Sequence, residues 1–250
     1  MSQMTLTYHK RGQTGIITLN RPEVNNAINT ELALAMADVC SKINRDQDIR
    51  VVTITGAGEA FSVGTDRSSP PEKIELLSVA TEVSKLNCPV IAAINGDALG
   101  QGLELALACD LRIAAETANL GLPDIASGII PSDGGTQRLP RLVGRARAME
   151  MILLGELLDA REAYRIGLVN KVVQPEELLP VVNDMAQRMA ANAPVALRYA
   201  KEAINKGLEL TMEQGLRLET DLYTLLHTTE DRTEGITSFL KKRRPKFKGK

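Results

Sequence analysis

Asn95–Asp110, NGDALGQGLELALACD, is the stretch on which the reading of this chain turns. A β-branched apolar run, PVIAAI (residues 89–94), feeds its glycine-punctuated turn, and LELALA then has the composition of a helix. That helix carries one acidic residue, Glu104, on an otherwise apolar surface. Twenty residues later a second acid, Asp124, sits in GLPDIASGIIPSDGGTQRL (121–139). Two carboxylates beside glycine-rich backbone suit proton transfer next to a stabilised oxyanion, which predicts an enzyme.

Working outward, GIITLN (15–20) and IRVVTITG (49–56) read as strands, being short, β-branched and stopped by Asn or Gly. Between them Asn29 or Thr30 is placed to cap the helix ELALAMADVCSKIN (31–44). A loop, AFSVGTDRSSPPEK (60–73), precedes a helix over 74–86, and Pro70 and Pro71 stiffen a segment suited to shaping a binding pocket. LRIAA (111–115) and LVNKVV (168–173) predict further strands, with helices opened by GGTQRL, ended at Gly155, and formed by DAREAYRIG (159–167). From Pro175 the pattern is helical: 176–190, 194–206, 211–224 and 230–241. The fold class is therefore α/β, with a core over 1–190 and a helical region over 191–250 that is not an independent domain.

Composition removes several alternatives. The net charge is −1 and the pI about 6.2. With aromatics at 3% and no Trp, neither nucleic acid nor a membrane surface is the expected partner. Three scattered cysteines predict no disulfide framework, and two histidines remote from the motifs leave no metal ligand set. No basic-then-apolar leader and no apolar run of spanning length is present, so the expected location is the cytoplasm. The closing KKRRPKFKGK holds seven basic residues in ten, which reads as a solvated tail or as an anion contact.

Five segments occur in one order: ITLNRPEVNNAIN, ITGAGEAFSVGTD, PVIAAINGDALGQGLELALACDLRIA, GLPDIASGIIPSDGGTQRLPRLVG and GLVNKVV. Together they resemble the crotonase family, also called the enoyl-CoA hydratase/isomerase family, over nearly the whole chain. The resemblance implies a spiral of strand–strand–helix units and a C-terminal helical region that joins a homotrimer, often paired into a homohexamer. It also implies an acyl-coenzyme A thioester as substrate, with coenzyme A part of that substrate and no separate cofactor or metal. Glu104 and Asp124 match the two catalytic acids, Glu104 activating water and Asp124 supplying the α-carbon proton. The matching oxyanion donors are the backbone N–H groups of Val63 and Gln101. Val24, Gly64, Thr65, Asp66, Phe239 and Lys242 match positions on the coenzyme side.

Three departures from the family pattern matter. GQG replaces a run of three glycines, Asp124 replaces a glutamate and is shorter by one methylene, and Glu23 replaces a common lysine. Asp133, in PSDGGTQ, is read either as a cap on the following helix or as a third acid in the pocket. The expected reaction is reversible hydration of a 2-enoyl-CoA. An enoyl-CoA isomerase, a hydratase or dehydratase for a branched or cyclic acyl-CoA, and a noncatalytic acyl-CoA-binding protein are the alternatives.

Overall fold

A computed structural model of the chain describes residues 4–68 and 78–250. A hairpin of β1 (Leu6–Arg11) and β2 (Thr14–Leu19) leads through a 3-10 turn at Pro22–Val24 to α1 (Thr30–Arg45). Asn29 caps α1, its side chain accepting from the Leu32 N–H. There follow β3 (Val51–Gly56), α2 (Val79–Ser84), β4 (Val90–Ile94), β5 (Ala98–Leu99) and α3 (Gln101–Ala108). β6 (Leu111–Ala115) and β7 (Asn119–Gly121) precede α4 (Gly135–Val143) and α5 (Arg145–Leu154). β8 (Leu158–Asp159), α6 (Ala160–Arg165) and β9 (Lys171–Val173) come next. Then come α7 (Leu178–Ala190), α8 (Pro194–Gly207), α9 (Met212–Leu226) and α10 (Glu230–Leu240).

The main sheet has the order β1-β2-β3-β4-β6-β9; β1 pairs antiparallel with β2, and the other neighbours are parallel. Strand alternation sends Val52, Ile54, Val90, Ala92 and Ile94 into one core with Leu32 and Met36 of α1 and Leu103 and Leu105 of α3. Val51, Ile91, Ala93, Ile113 and Ala115 face the other way, onto Leu178, Val182 and Ala186 of α7. Both faces of the parallel strands are thus covered, which is why β3 and β4 read as continuous apolar runs.

The second sheet, β5-β7-β8, is small, and β5 leads directly into α3. β7 and β8 are too short to show a two-residue period in the sequence, and edge strand β1 is polar along its outer half. The helix expected over 74–86 is seen as α2 from Val79; Pro70, Pro71 and the first residues of that expected helix lie outside the described residues.

The basic tail is not a free tail: it folds back on α10. Buried Asp231 accepts from the backbone N–H groups of Lys248 (2.6 Å) and Gly249 (2.8 Å). Glu234 pairs with Arg243 and accepts from the Lys246 N–H. Arg50, just before β3, donates to the Phe247 carbonyl at 2.7 Å. Lys201 of α8 adds a second tie to the core, bonding Asp110 (2.8 Å) and the Cys88 carbonyl (2.9 Å).

Asp231→Ala leaves two tail N–H groups without their acceptor. It is expected to lower unfolding free energy by about 1–3 kcal/mol, read from urea denaturation, and to expose the chain after Lys242 to proteolysis.

Candidate active site

α3 is the scaffold of the site, and its first turn is set by glycine. Gly100, the N-cap, takes φ 50° and ψ −125°, a conformation L side chains rarely adopt. Its N–H bonds the Gly121 carbonyl, and a Cβ there would sit 3.4 Å from Asp124 Oδ1. Glu104, one turn into the helix, is 1% exposed. Its Oε1 accepts from the backbone N–H groups of Asp133 (2.8 Å) and Gly135 (2.7 Å). Gly135 permits this approach, since a Cβ at that position would lie 3.0 Å from the same oxygen. Burial pushes the Glu104 carboxyl above its ordinary value, opposed by those two N–H donors and reinforced by the charges of Asp133 and Asp124.

Asp124 comes from the 3-10 turn Pro123–Ser127, which Gly128 closes in the left-handed region. Its Oδ2 is buried and has no hydrogen-bond partner among the described residues. Burial raises this carboxyl too, opposed by its own backbone N–H and the charge of Arg67. Asp124, Thr65, Arg67, Gly100, Ile129 and Ser132 are among the residues lining one cavity of about 550 Å³.

The backbone around Gly64 separates the expected donor Val63 from its neighbour Thr65. The Val63 N–H is spent on the Asn25 carbonyl at 3.1 Å, so Val63 is not available as an oxyanion donor. Thr65 bridges Ile28 in parallel register, through Ile28 N–H to the Gly64 carbonyl (2.7 Å) and Asp66 N–H to the Ile28 carbonyl (2.8 Å). In such a bridge the N–H of the central residue points away from its partner. The Thr65 N–H accordingly turns from Ile28 and has no hydrogen-bond partner among the described residues. Gly64, at φ 95°, packs against the start of α3, where a Cβ would come within 3.2 Å of the Gln101 nitrogen. The Thr65 hydroxyl donates to Gln101 Oε1 at 3.0 Å, linking the residue that opens α3 to the turn at Gly64.

The remaining expected residues separate into two groups. Asp66 is buried in a turn, bonded to the hydroxyl of Ser68, to Arg21 (2.8 Å) and to the Ser68 N–H, contacts that outweigh burial and hold its carboxyl below the usual range. Asn26, in the left-handed region, bridges the Arg21 N–H to the Ala57 and Ala60 carbonyls and stabilises the same loop. Val24 is exposed on the turn before it. Phe239 is 82% exposed and Lys242 takes φ 49° at the end of α10; neither lines the cavity at Asp124.

Asp133 does not cap the following helix. α4 has Gly134 at its N-cap with no side-chain bond, while the Asp133 carboxylate accepts from Ala80 N–H (2.6 Å), Thr81 N–H (3.1 Å) and Thr81 Oγ1 (2.9 Å) at the start of α2. Sequence distance hid this, because α2 lies 52 and 53 positions earlier. Arg67 is another residue the sequence reading passed over, and its only signal was its place directly after the GTD turn. Among the described residues no group of His, Cys, Asp and Glu could hold a metal ion, and no helix is long and apolar enough to cross a membrane.

Comparison with known proteins identifies the family and the fold. The family model described as enoyl-CoA hydratase/isomerase matches residues 10–250. The chain is 40% identical to the crotonyl-CoA hydratase of Syntrophomonas wolfei over 99% of each chain. It is also 40% identical to the short-chain-enoyl-CoA hydratase of Clostridium acetobutylicum over 94% of each. The crystal structure of enoyl-CoA hydratase from Bacillus anthracis superposes with a TM-score of 0.95 at 40% identity, covering 98% of this chain and 100% of that one. The chain belongs to the enoyl-CoA hydratase/isomerase family, and its strand–strand–helix architecture is the crotonase fold.

Because burial raises the Glu104 carboxyl in the folded state, its ionisation opposes folding above the unfolded value of about 4.3 and not below it. Wild-type stability is lost on this account as pH rises through the raised folded pKa. Glu104→Gln keeps an acceptor for both N–H groups and removes the charge. Its melting temperature relative to wild type is therefore expected to be higher at pH 7 than at pH 4; an equal difference at both would contradict the buried-charge account.

Proposed function

We propose that this protein is an enoyl-CoA hydratase that adds water reversibly across the double bond of a 2-enoyl-CoA thioester. The observation that carries the reading is Oδ2 of the half-buried Asp124, a buried oxygen with no hydrogen-bond partner among the described residues, beside the cavity and the first turn of α3. A buried polar atom left unpaired costs about 1–3 kcal/mol, and a reacting group placed there relieves it.

In this reading the thioester carbonyl is held by the N–H groups of Thr65 and Gln101, and the positive end of α3 favours the negative charge that grows on its oxygen. Glu104 is anchored through Oε1, which leaves Oε2 to take a proton from water as that water attacks the β-carbon. Asp124 lacks such a pair of donors from neighbouring residues, so burial favours its protonated form and it delivers the proton to the α-carbon. Addition consumes one water: its hydroxyl goes to the β-carbon and a proton to the α-carbon. The carboxylates then exchange the remaining proton between them or with solvent. The chemistry uses two carboxylates and two backbone donors, with coenzyme A entering as part of the substrate.

For the coenzyme end, exposed Val24 supports contact from the 3-10 turn, and Phe239 and Lys242 support contact made across subunits. The apolar side chains exposed on α5 and α9, among them Met149, Leu153, Leu154, Leu216 and Tyr223, support burial in a homotrimer or homohexamer. Cys40, Cys88 and Cys109 are free thiols, which supports a cytoplasmic setting.

Crotonyl-CoA incubated in ¹⁸O-labelled water is expected to yield labelled 3-hydroxyacyl-CoA, with kcat lowered about 10²- to 10⁴-fold in Glu104→Gln and Asp124→Asn. A double-bond shift without label would assign an isomerase instead. Tight binding of the thioester with no turnover across linear, branched and cyclic enoyl groups would leave a binding protein.

A further inference from the structure

Asp133 has every polar atom engaged, on three different elements. Its N–H holds Glu104 Oε1 and its carbonyl accepts from Arg138 Nη1 at 2.6 Å. Its two carboxylate oxygens receive Ala80 N–H, Thr81 N–H and the Thr81 hydroxyl. Both Asp133 carboxylate oxygens are taken up by α2, while Ser132 beside it is exposed and lines the cavity. α2 makes no side-chain cap of its own at Ser78, and the distant carboxylate takes that place.

The turn that Asp133 occupies needs such an anchor. It must present two N–H groups to one oxygen at 2.7 and 2.8 Å, yet its next two residues are Gly134, at φ 102°, and Gly135. Two adjacent glycines leave the unanchored backbone many alternatives. α2 is in turn fixed by Val79, Ala80 and Val83, all buried, with Val79 and Val83 in the core that holds Leu103 and Leu105 of α3. The turn is thus referenced to α3 by two routes, directly through Glu104 and indirectly through α2.

We infer that Asp133 is a positioning residue, which ties the Glu104-binding turn to α2 and so holds the general base in its working geometry. This rests on the hydratase reading for its kinetic consequence only; the placement of Glu104 is tested independently of turnover.

The experiment compares the wild type with Asp133→Ala, with and without Ser78→Asp, which supplies α2 with a cap from its own N-terminus. Readouts are kcat and KM for crotonyl-CoA, the melting temperature, and the Glu104 titration by ¹³C NMR of glutamate-labelled protein, assigned by its loss in Glu104→Gln. Removing the Asp133 charge alone would lower the Glu104 pKa, whereas loosening the two N–H donors raises it. Asp133→Ala is expected to raise it and to cut kcat about tenfold with KM changed less than twofold. Adding Ser78→Asp is expected to restore the melting temperature without restoring kcat or the titration.

A fallen or unmoved titration in Asp133→Ala, or recovery of kcat together with stability in the double variant, would overturn the inference and leave Asp133 a helix cap alone. Should Asp133→Ala fail to fold, Asp133→Asn keeps one acceptor for α2 and is expected to lower kcat less than tenfold. Abolished turnover in that variant with Glu104 titrating as in the wild type would make Asp133 an acid in its own right and also overturn it. If the wild type itself does not hydrate crotonyl-CoA, the functional reading fails while the titration still decides the role of Asp133.

Discussion

A carboxylate with 1% exposure must be solvated by the protein itself, and the clamp on Glu104 Oε1 is the constraint to which the rest of the site conforms. An unpaired buried carboxylate costs several kcal/mol, so two charge-assisted backbone bonds are close to a requirement. They come from residues 29 and 31 positions further along the chain, which joins α3 to the turn before α4. The same requirement explains the two glycines there: Gly135 must approach the oxygen so closely that a side chain would collide with it. What the clamp spares is the second oxygen of Glu104, the one the proposed hydration calls on.

α3 is held at both ends. At its start Gly100 makes a turn closed to other residues and Gln101 meets Thr65. At its end the buried guanidinium of Arg112 donates to the carbonyls of Ala106 (3.2 Å) and Cys109 (2.6 Å) and to Leu168 (2.9 Å). A cation at the C-terminus matches the helix dipole there, while the N-terminus carries the complementary positive end toward the site. A helix of eight residues with so few turns of its own depends on these contacts for its orientation.

Two departures from the family pattern now have physical content. Gln101, where a glycine is usual, turns its amide oxygen to the Thr65 hydroxyl, so the side chain joins the start of α3 to the segment after Gly64. Asp124, where a glutamate is usual, stands beside Gly100 with one oxygen buried and unpaired among the described residues. Glycine is required at Gly100 by its φ of 50°, and a Cβ there would only reach ordinary contact with Asp124, 3.4 Å from Oδ1.

The parallel core and the carboxylates Glu104 and Asp124 were legible in the sequence because each is carried by contiguous signals: apolar runs ended by glycine, a helix with a single acid, a second acid in a glycine-rich turn. Direction and distance were not. Whether Val63 or Thr65 offers its N–H depends on alternation past Gly64, whose φ of 95° breaks the regular pattern, and on the Ile28 bridge that only the folded chain forms. The partner of the Asp133 carboxylate was equally hidden, since capping rules point to the next helix while the fold brings an earlier one closer. The tail misled in the same way, its charge being local information and its docking onto Asp231 a matter of tertiary contact. Sequence by itself determined which residue types and local elements are present. Tertiary structure decided which backbone groups face which carboxylates, because hydrogen-bond direction is set by register and packing between segments far apart in the chain.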